Sequence, residues 1–258
     1  MYSERELLDV YGAKILWPDG KFSFFQTDQK ILYTPALDPF IMKWAKEHAK
    51  ENISRITYDL LPRKVGIVKI VKYNSLDIVL DYAWVSWAQI EVMAEKEIAE
   101  KIGRACQFDV LAVSCLLETS DQKFIMAYRS PKVRTHPNKY HVSPTGYIDR
   151  DAFIKTEDPC GQVLLEIKEE LNIESHEIEN VTALGVCAHT PAHQTFIDCC
   201  YWAKTKLSAS EVLSRAQSAQ DSWEGKQKIF TREELCLLLE KGTMVPSGAA
   251  VLYLFLNL

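Results

Sequence analysis

LLEIKEELNI, residues 164–173, decides how this chain is read, because it sets three carboxylates into an otherwise ordinary amphipathic helix. Asp158 is a good N-cap, Pro159 suits a first turn, and Asn172 tolerates the left-handed conformation in which many helices end. The spacing therefore predicts a helix over 158–171, with Val163, Leu164, Ile167 and Leu171 forming a stripe that faces a core. Glu166, Glu169 and Glu170 stand at i, i+3 and i+4 and share another face. Like charges at that spacing destabilise a helix by about 0.2–0.5 kcal/mol per pair. Lys168 relieves little of this, since it points about 100° from its neighbours. Charge runs of this kind are usually solvated faces. The functional alternative is a hard divalent cation, because Mg²⁺ takes a few carboxylate oxygens and completes its shell with water and substrate phosphates.

Around this helix, strand and helix signals alternate. FDVLAVSCLLE and KFIMAYRS read as two strands about the polar turn TSDQ, and the loop PKVRTHPNKY leads to HVSPTGYID. VTALGVCAH and TFIDCCYWAKTKL are further strands. SASEVLSRAQSAQ, TREELCLLLEKG and the tail GAAVLYLFLNL have helical spacing. In the first hundred residues, WPDGKFSFFQ is hairpin-like, and Asp38 with Pro39 opens a helix whose apolar face is Phe40, Ile41, Trp44 and Ala45. GIVKIVKY and DIVLDYAWV are strands, and Ser86 with Gln89 forms a capping box for a helix that Gly103 can close. Interleaving of this kind predicts a mixed α/β fold, a mixed sheet covered by helices. We expect an N-terminal α+β extension over 1–105 and a second unit over 106–258.

Composition excludes several classes. The 258 residues carry 30 basic and 35 acidic side chains, a formal charge of -5, which gives no general electrostatic reason to bind nucleic acid or an anionic membrane. The start is charged and has no apolar signal core, and the longest apolar runs fall short of the roughly 20 residues that a membrane span needs, so a cytoplasmic location is expected. Seven scattered cysteines with no CxxC pair fit reduced thiols rather than a disulfide or zinc framework. His189 and His193 are i, i+4, but Pro191 between them predicts a turn between strands, which removes the helical spacing that a metal pair would need.

The segment around the three glutamates resembles the Nudix hydrolase signature. In L165-E166-I167-K168-E169-E170-L171-N172-I173 all three acidic and both aliphatic positions of its second half are filled. Counting back seven residues from Leu165 reaches Glu157 at the first acidic position, and SPTGYID puts Gly146 and Asp149 where the family has its glycines and acid after a strand. Three departures stand out. Ten residues rather than five separate Gly146 from Glu157, so RDAFIKT looks like an insertion in the loop. Leu165 replaces an Arg that braces loop and helix, and Asn172 replaces Gly. YRS before the loop and PSGAAVLYLF at the end are most similar to the branch acting on UDP-sugars.

The resemblance implies a Nudix-type α/β/α sandwich and a Mg²⁺- or Mn²⁺-dependent hydrolase. Glu166, Glu169 and Glu170 would be its metal-binding and catalytic residues, and Gly146 and Glu157 would belong to its loop. The implied partner is a small nucleoside diphosphate derivative, and homodimers are common in the family. The proton of the attacking water could go to one of the three glutamates or to Glu224 in SWEGK. In the loop RSPKVRTHPNKYH, the cations Arg129, Lys132 and Arg134 are candidates for holding substrate phosphates. Two alternatives stay open: a weak or inactive nucleotide-binding module, and an enzyme acting on ADP-ribose or another dinucleotide.

Overall fold

The computed structural model describes residues 3–17, 22–25, 35–48, 60, 64–72, 78–103, 108–133, 135–156, 158–190 and 194–258. Its helices are α1 (Glu4–Tyr11), α2 (Asp38–His48), α3 (Trp87–Met93), α4 (Lys96–Ile102), α5 (Arg150–Thr156), α6 (Cys160–Leu171), α7 (Ala209–Ala216), α8 (Arg232–Glu240) and α9 (Pro246–Leu256). The strands are β1 (Ala13–Trp17), β2 (Phe22–Phe25), β3 (Lys64–Lys72), β4 (Ile78–Val85), β5 (Asp109–Glu118), β6 (Phe124–Arg129), β7 (Tyr140–Val142), β8 (Thr145–Tyr147), β9 (Ile178–His189), β10 (Phe196–Thr205) and β11 (Gly225–Phe230). They form one mixed sheet in the order β1-β9-β10-β5-β3-β4-β2, with β6, β7, β8 and β11 attached off that path. The mixed α/β class is as expected.

The central strand β5 shows why both faces are covered. Leu111, Val113, Cys115 and Leu117 pack with Val163, Ile167 and Leu171 of α6. Leu116 on the other face packs with α1, α8 and α9 through Leu7, Leu235 and Leu252. A strand buried on both faces reads as a continuous apolar run, as FDVLAVSCLLE does. Val163, Ile167 and Leu171 are fully buried, each stabilising the fold by about 1.5–3 kcal/mol. Leu164, expected on the same stripe, is only half-buried.

Several local expectations meet corrections. The Pro-Asp-Gly turn lies outside the described residues, but the strands flanking it are not a hairpin: β1 pairs antiparallel with β9 and β2 parallel with β4. The helix opened by the Ser86–Gln89 capping box is two helices. Its backbone leaves helical geometry at Glu95 (ψ 122°), and Gly103 ends the second at φ 73°. RDAFIKT, expected as an inserted loop, is α5. Its Phe153 packs edge-on against Tyr82 and Trp84, with ring centroids 5.3 and 6.1 Å away, and the Arg150 guanidinium lies 5.7 Å over Trp84. Two elements were not foreseen. α1 is signalled by a Ser3–Glu6 capping box, and β11 has an alternating polar pattern that suits its exposure.

Residues before 106 extend the same sheet. β3 adds to β5 through Gly66 opposite Val110 and Ile67 opposite Asp109, and β1 adds to β9 on the other side. This brings α3 to the mouth of the site described next. The expected boundary, between 105 and 106, lies outside the described residues.

Candidate active site

Glu166, Glu169 and Glu170 all line one cavity of about 510 Å³. They do so differently. Glu166 and Glu170 are 9% and 7% exposed, while Glu169 is half-buried. Glu170 accepts from Ser143 Oγ at 2.8 Å and from the Thr145 backbone N–H at 2.8 Å, which ties the β7–β8 turn to α6. Burial pushes its pKa up to about 8, against those two bonds and the Arg129 charge; Glu224 adds to the rise. Glu166 lies so close to Gly146 that a Cβ there would overlap Oε1 of its carboxylate. Glycine is required at this point because it lets the β8 backbone approach the carboxylate.

The helix start is displaced slightly from expectation. α6 begins at Cys160, with Pro159 at the cap position, yet Asp158 still caps it by accepting from the Cys160 N–H at 2.7 Å. Asn172 ends it in the left-handed region (φ 54°, ψ 43°), as foreseen. Leu165, which stands at the bracing position, is half-buried. Bracing comes instead from Gln162, one helical turn before Glu166. Gln162 Nε2 donates to Glu166 Oε1 at 2.7 Å, and its Oε1 accepts from the Asp149 N–H at 2.8 Å. Because Gln162 is buried, it joins the loop after β8 to the acidic face within the core. Glu157 lies outside the described residues.

The same cavity is also lined by cations and further acids. Arg129, at the end of β6, lines the cavity and is oriented by Thr135: Nε donates to its carbonyl at 3.1 Å and Nη2 to its hydroxyl at 3.4 Å. Lys132 is exposed on the same wall, and Arg134 lies outside the described residues. Asp221 and Glu224 come from the segment before β11 and are held near α6 by the Asp221 N–H bond to the Glu169 carbonyl, 3.1 Å. The Glu224 pKa is raised, first by burial and then by Asp221, with Arg129 opposing.

A second group joins His189 to Ser114, Phe196 and Asp198, three residues without a signal recognised in the sequence. β5, β9 and β10 send all four into the same cavity. Phe196 stands opposite His189 across the β9–β10 ladder, and Asp198 opposite Ala112 across β10–β5, so strand alternation keeps these side chains on one face. The readable signal is a lone Asp inside the apolar run TFIDCCYW, since buried acids are almost always paired. His193 and Pro191 lie outside the described residues; His189 closes β9 as the expected turn requires. Trp87 and Trp223 also line the cavity, whereas Trp44 and Trp84 are core.

The donor set fits a hard divalent cation. The carboxylates of Glu166, Glu169, Glu170, Asp221 and Glu224 line one cavity; beyond the effect of burial, the charge of Glu224 raises the Glu170 pKa and that of Asp221 raises the Glu224 pKa. Among the described residues no group of three or more His, Cys, Asp or Glu side chains is already arranged to hold a metal ion.

The sequence matches no protein-family model and none of the curated proteins. Among the solved structures similar to part of the chain are two at low identity. One is DR0079 from Deinococcus radiodurans, with a TM-score of 0.38 and 18% identity over 57% of this chain and 81% of that one. The other is a MutT protein from Methanosarcina mazei Go1, with a TM-score of 0.38 and 17% identity over 57% of this chain and 93% of that one. Likenesses this slight carry no argument about activity, which rests on the residues of the cavity. Among the described residues no helix is long and apolar enough to cross a membrane.

Proposed function

We propose that this protein is a Nudix-type, divalent-metal-dependent hydrolase that splits the pyrophosphate of a nucleoside diphosphate linked to another group. The favoured substrate is a nucleotide sugar such as UDP-glucose, giving a nucleoside monophosphate and a sugar phosphate. One observation carries the reading: a single cavity has the three glutamates of α6, Asp221 and Glu224 on its walls together with Arg129. A solvated acidic face would not bury two of its carboxylates, at 9% and 7% exposure, in a cleft.

A bound Mg²⁺ or Mn²⁺ would neutralise diphosphate oxygens and lower the pKa of a coordinated water. Glu169, with Glu166 and Glu170, would hold it. Arg129, fixed by Thr135, offers a planar fork to phosphate oxygens and offsets charge gathering there during attack. Glu224 would take the proton of the attacking water; burial, and then the charge of Asp221, raise its pKa and make it a stronger base. Trp87 and Tyr147, edge-on at 5.1 Å, and Phe196 supply an apolar wall for a base or sugar ring.

The test is a panel of UDP-sugars, ADP-ribose, dinucleoside polyphosphates, nucleoside triphosphates and coenzyme A with Mg²⁺ or Mn²⁺. Glu169→Gln is the sharper control because Glu170 also braces the β7–β8 turn. Turnover abolished by Glu169→Gln supports the reading. Absence of turnover across the panel, or a mutant equal to the parent, rejects it. Tight nucleotide binding without product release would instead identify a binding module.

A further inference from the structure

The side of the cavity away from α6 carries a buried relay. Ser114 Oγ donates to Asp198 Oδ1 at 2.7 Å, and Asp198 Oδ2 lies 3.0 Å from His189 Nε2. Ser114 is bonded to the acid rather than to the imidazole, so this is not an activated nucleophile. What the relay does is fix a tautomer. A carboxylate accepts, so the hydrogen of neutral His189 belongs on Nε2 and its Nδ1 presents a lone pair. His189 is only 7% exposed, its ring stacks on Phe196 (5.5 Å, 18° between planes), and Nδ1 is buried without a hydrogen-bond partner. Beside it, 6.2 Å between ring centroids, stands His136, whose Nε2 is likewise buried and unpartnered. His136 adopts a left-handed backbone (φ 50°), which only a minority of non-glycine residues do.

We infer that His189 and His136 form a subsite that reads a hydroxyl group of the substrate. A hydroxyl can donate to His189 Nδ1 and accept from an Nε2–H of His136, and the two rings stand side by side on the cavity wall with centroids 6.2 Å apart. An apolar group leaves both nitrogens unpaired, and a fully ionised phosphate has no hydrogen for Nδ1. Burial, followed by His189, Lys139 and Arg129, pushes the His136 pKa down to about 4, so this imidazole is neutral at physiological pH and adds no charge to attract an anion. Phosphate is instead matched by Arg129 and by a divalent cation that the carboxylates of the same cavity would hold. The hydroxyl therefore belongs to a sugar next to the diphosphate, either the ribose or the distal sugar. That attachment rests on the hydrolase reading; the hydroxyl chemistry does not.

The experiment compares UDP-glucose and ADP-ribose with analogues lacking one hydroxyl, removed in turn from the nucleoside ribose and from the distal sugar. It uses the full chain with Mg²⁺. One deoxy position should lower kcat/KM by at least about 100-fold while the others change it by less than about threefold. The sensitive position identifies the sugar. In His189→Phe, which keeps a ring against Phe196 but has no nitrogen, parent and sensitive analogue should become equal. Ser114→Ala, a milder change, should shrink the same ratio without abolishing it. Analogues that all stay within threefold of the parent on the unaltered protein overturn the inference, as does a ratio left unchanged by both substitutions. If nothing turns over, the hydrolase reading fails by itself and the same pairs are compared by calorimetric binding. A hydroxyl-dependent affinity then sustains the subsite, and equal or undetectable binding overturns it.

Discussion

The two sides of the cavity are built in opposite ways. The acidic side comes from one helix, where positions 166, 169 and 170 are neighbours because of helical pitch alone. The imidazole side draws Ser114 from β5, His189 from β9, Asp198 from β10 and His136 from the loop after β6, residues brought together only by sheet register. Charge repulsion marks the first, with buried acids crowded near a cleft. Unpaired ring nitrogens mark the second. The difference separates roles: like charges in a row call for a cation, whereas an orphaned acceptor beside an orphaned donor calls for a hydroxyl.

The contrast breaks most severely if the acidic side is dispensable. Glu169→Gln, at a half-buried position, should lower kcat by at least about 100-fold with little change in melting temperature, and chelation of divalent ions should do the same to the unaltered protein. Steady-state kinetics with thermal melts check both. Gly146→Ala comes next. Its Cβ would drive Glu166 out of place, so activity should fall by about 10- to 100-fold and the Mg²⁺ requirement should rise. Metal titration of the rate reads the second effect, which a general loss of folding would not produce.

Gln162→Leu sharpens the account of bracing. It strips buried partners from the Asp149 N–H and from Glu166, and should destabilise the fold by about 1–3 kcal/mol in urea unfolding. An unchanged stability would mean that the brace contributes nothing.

The smallest effect is a pH dependence on the imidazole side. His141 is buried, with Nδ1 bonded to the Val142 carbonyl at 3.0 Å and Nε2 to Ser247 Oγ at 3.1 Å; burial above all holds its pKa well below the ordinary histidine range. The folded chain keeps this ring neutral, while the unfolded chain takes up a proton near pH 6.5. Its contribution is therefore fully present above about pH 6.5 and is lost as pH falls below it, by up to about 1.4 kcal/mol per pH unit. Unfolding midpoints of His141→Gln should vary less between pH 7 and 5 than those of the parent. Equal slopes would show that carboxylates alone govern acid stability.

Much of the framework was legible because it is local. The strand runs of β5, β9 and β10 and the helix from 160 to 171 follow from hydrophobic periodicity and capping residues. The failures are equally physical. WPDGKFSFFQ has turn chemistry, yet its strands find partners elsewhere, because pairing with β9 and β4 is a long-range choice that a turn cannot dictate. RDAFIKT reads as loop from its place in a motif, yet Phe153 finds Tyr82 and Trp84, and that contact makes a helix worthwhile. Gln162 carries no signal in the sequence, since nothing in its neighbours announces a bond to the Asp149 backbone.

By itself the sequence determined the class of fold, the position of the acidic helix and the face its glutamates share, since periods of two and 3.6 residues are set by backbone geometry. Only the tertiary structure decided that Gln162 braces the loop after β8 against Glu166, that α3 from the N-terminal residues reaches the cavity, and that Asp198 joins Ser114 to His189. Those relations depend on which strands lie side by side and in what register, and register is fixed by the packing of the whole core rather than by any short stretch of chain.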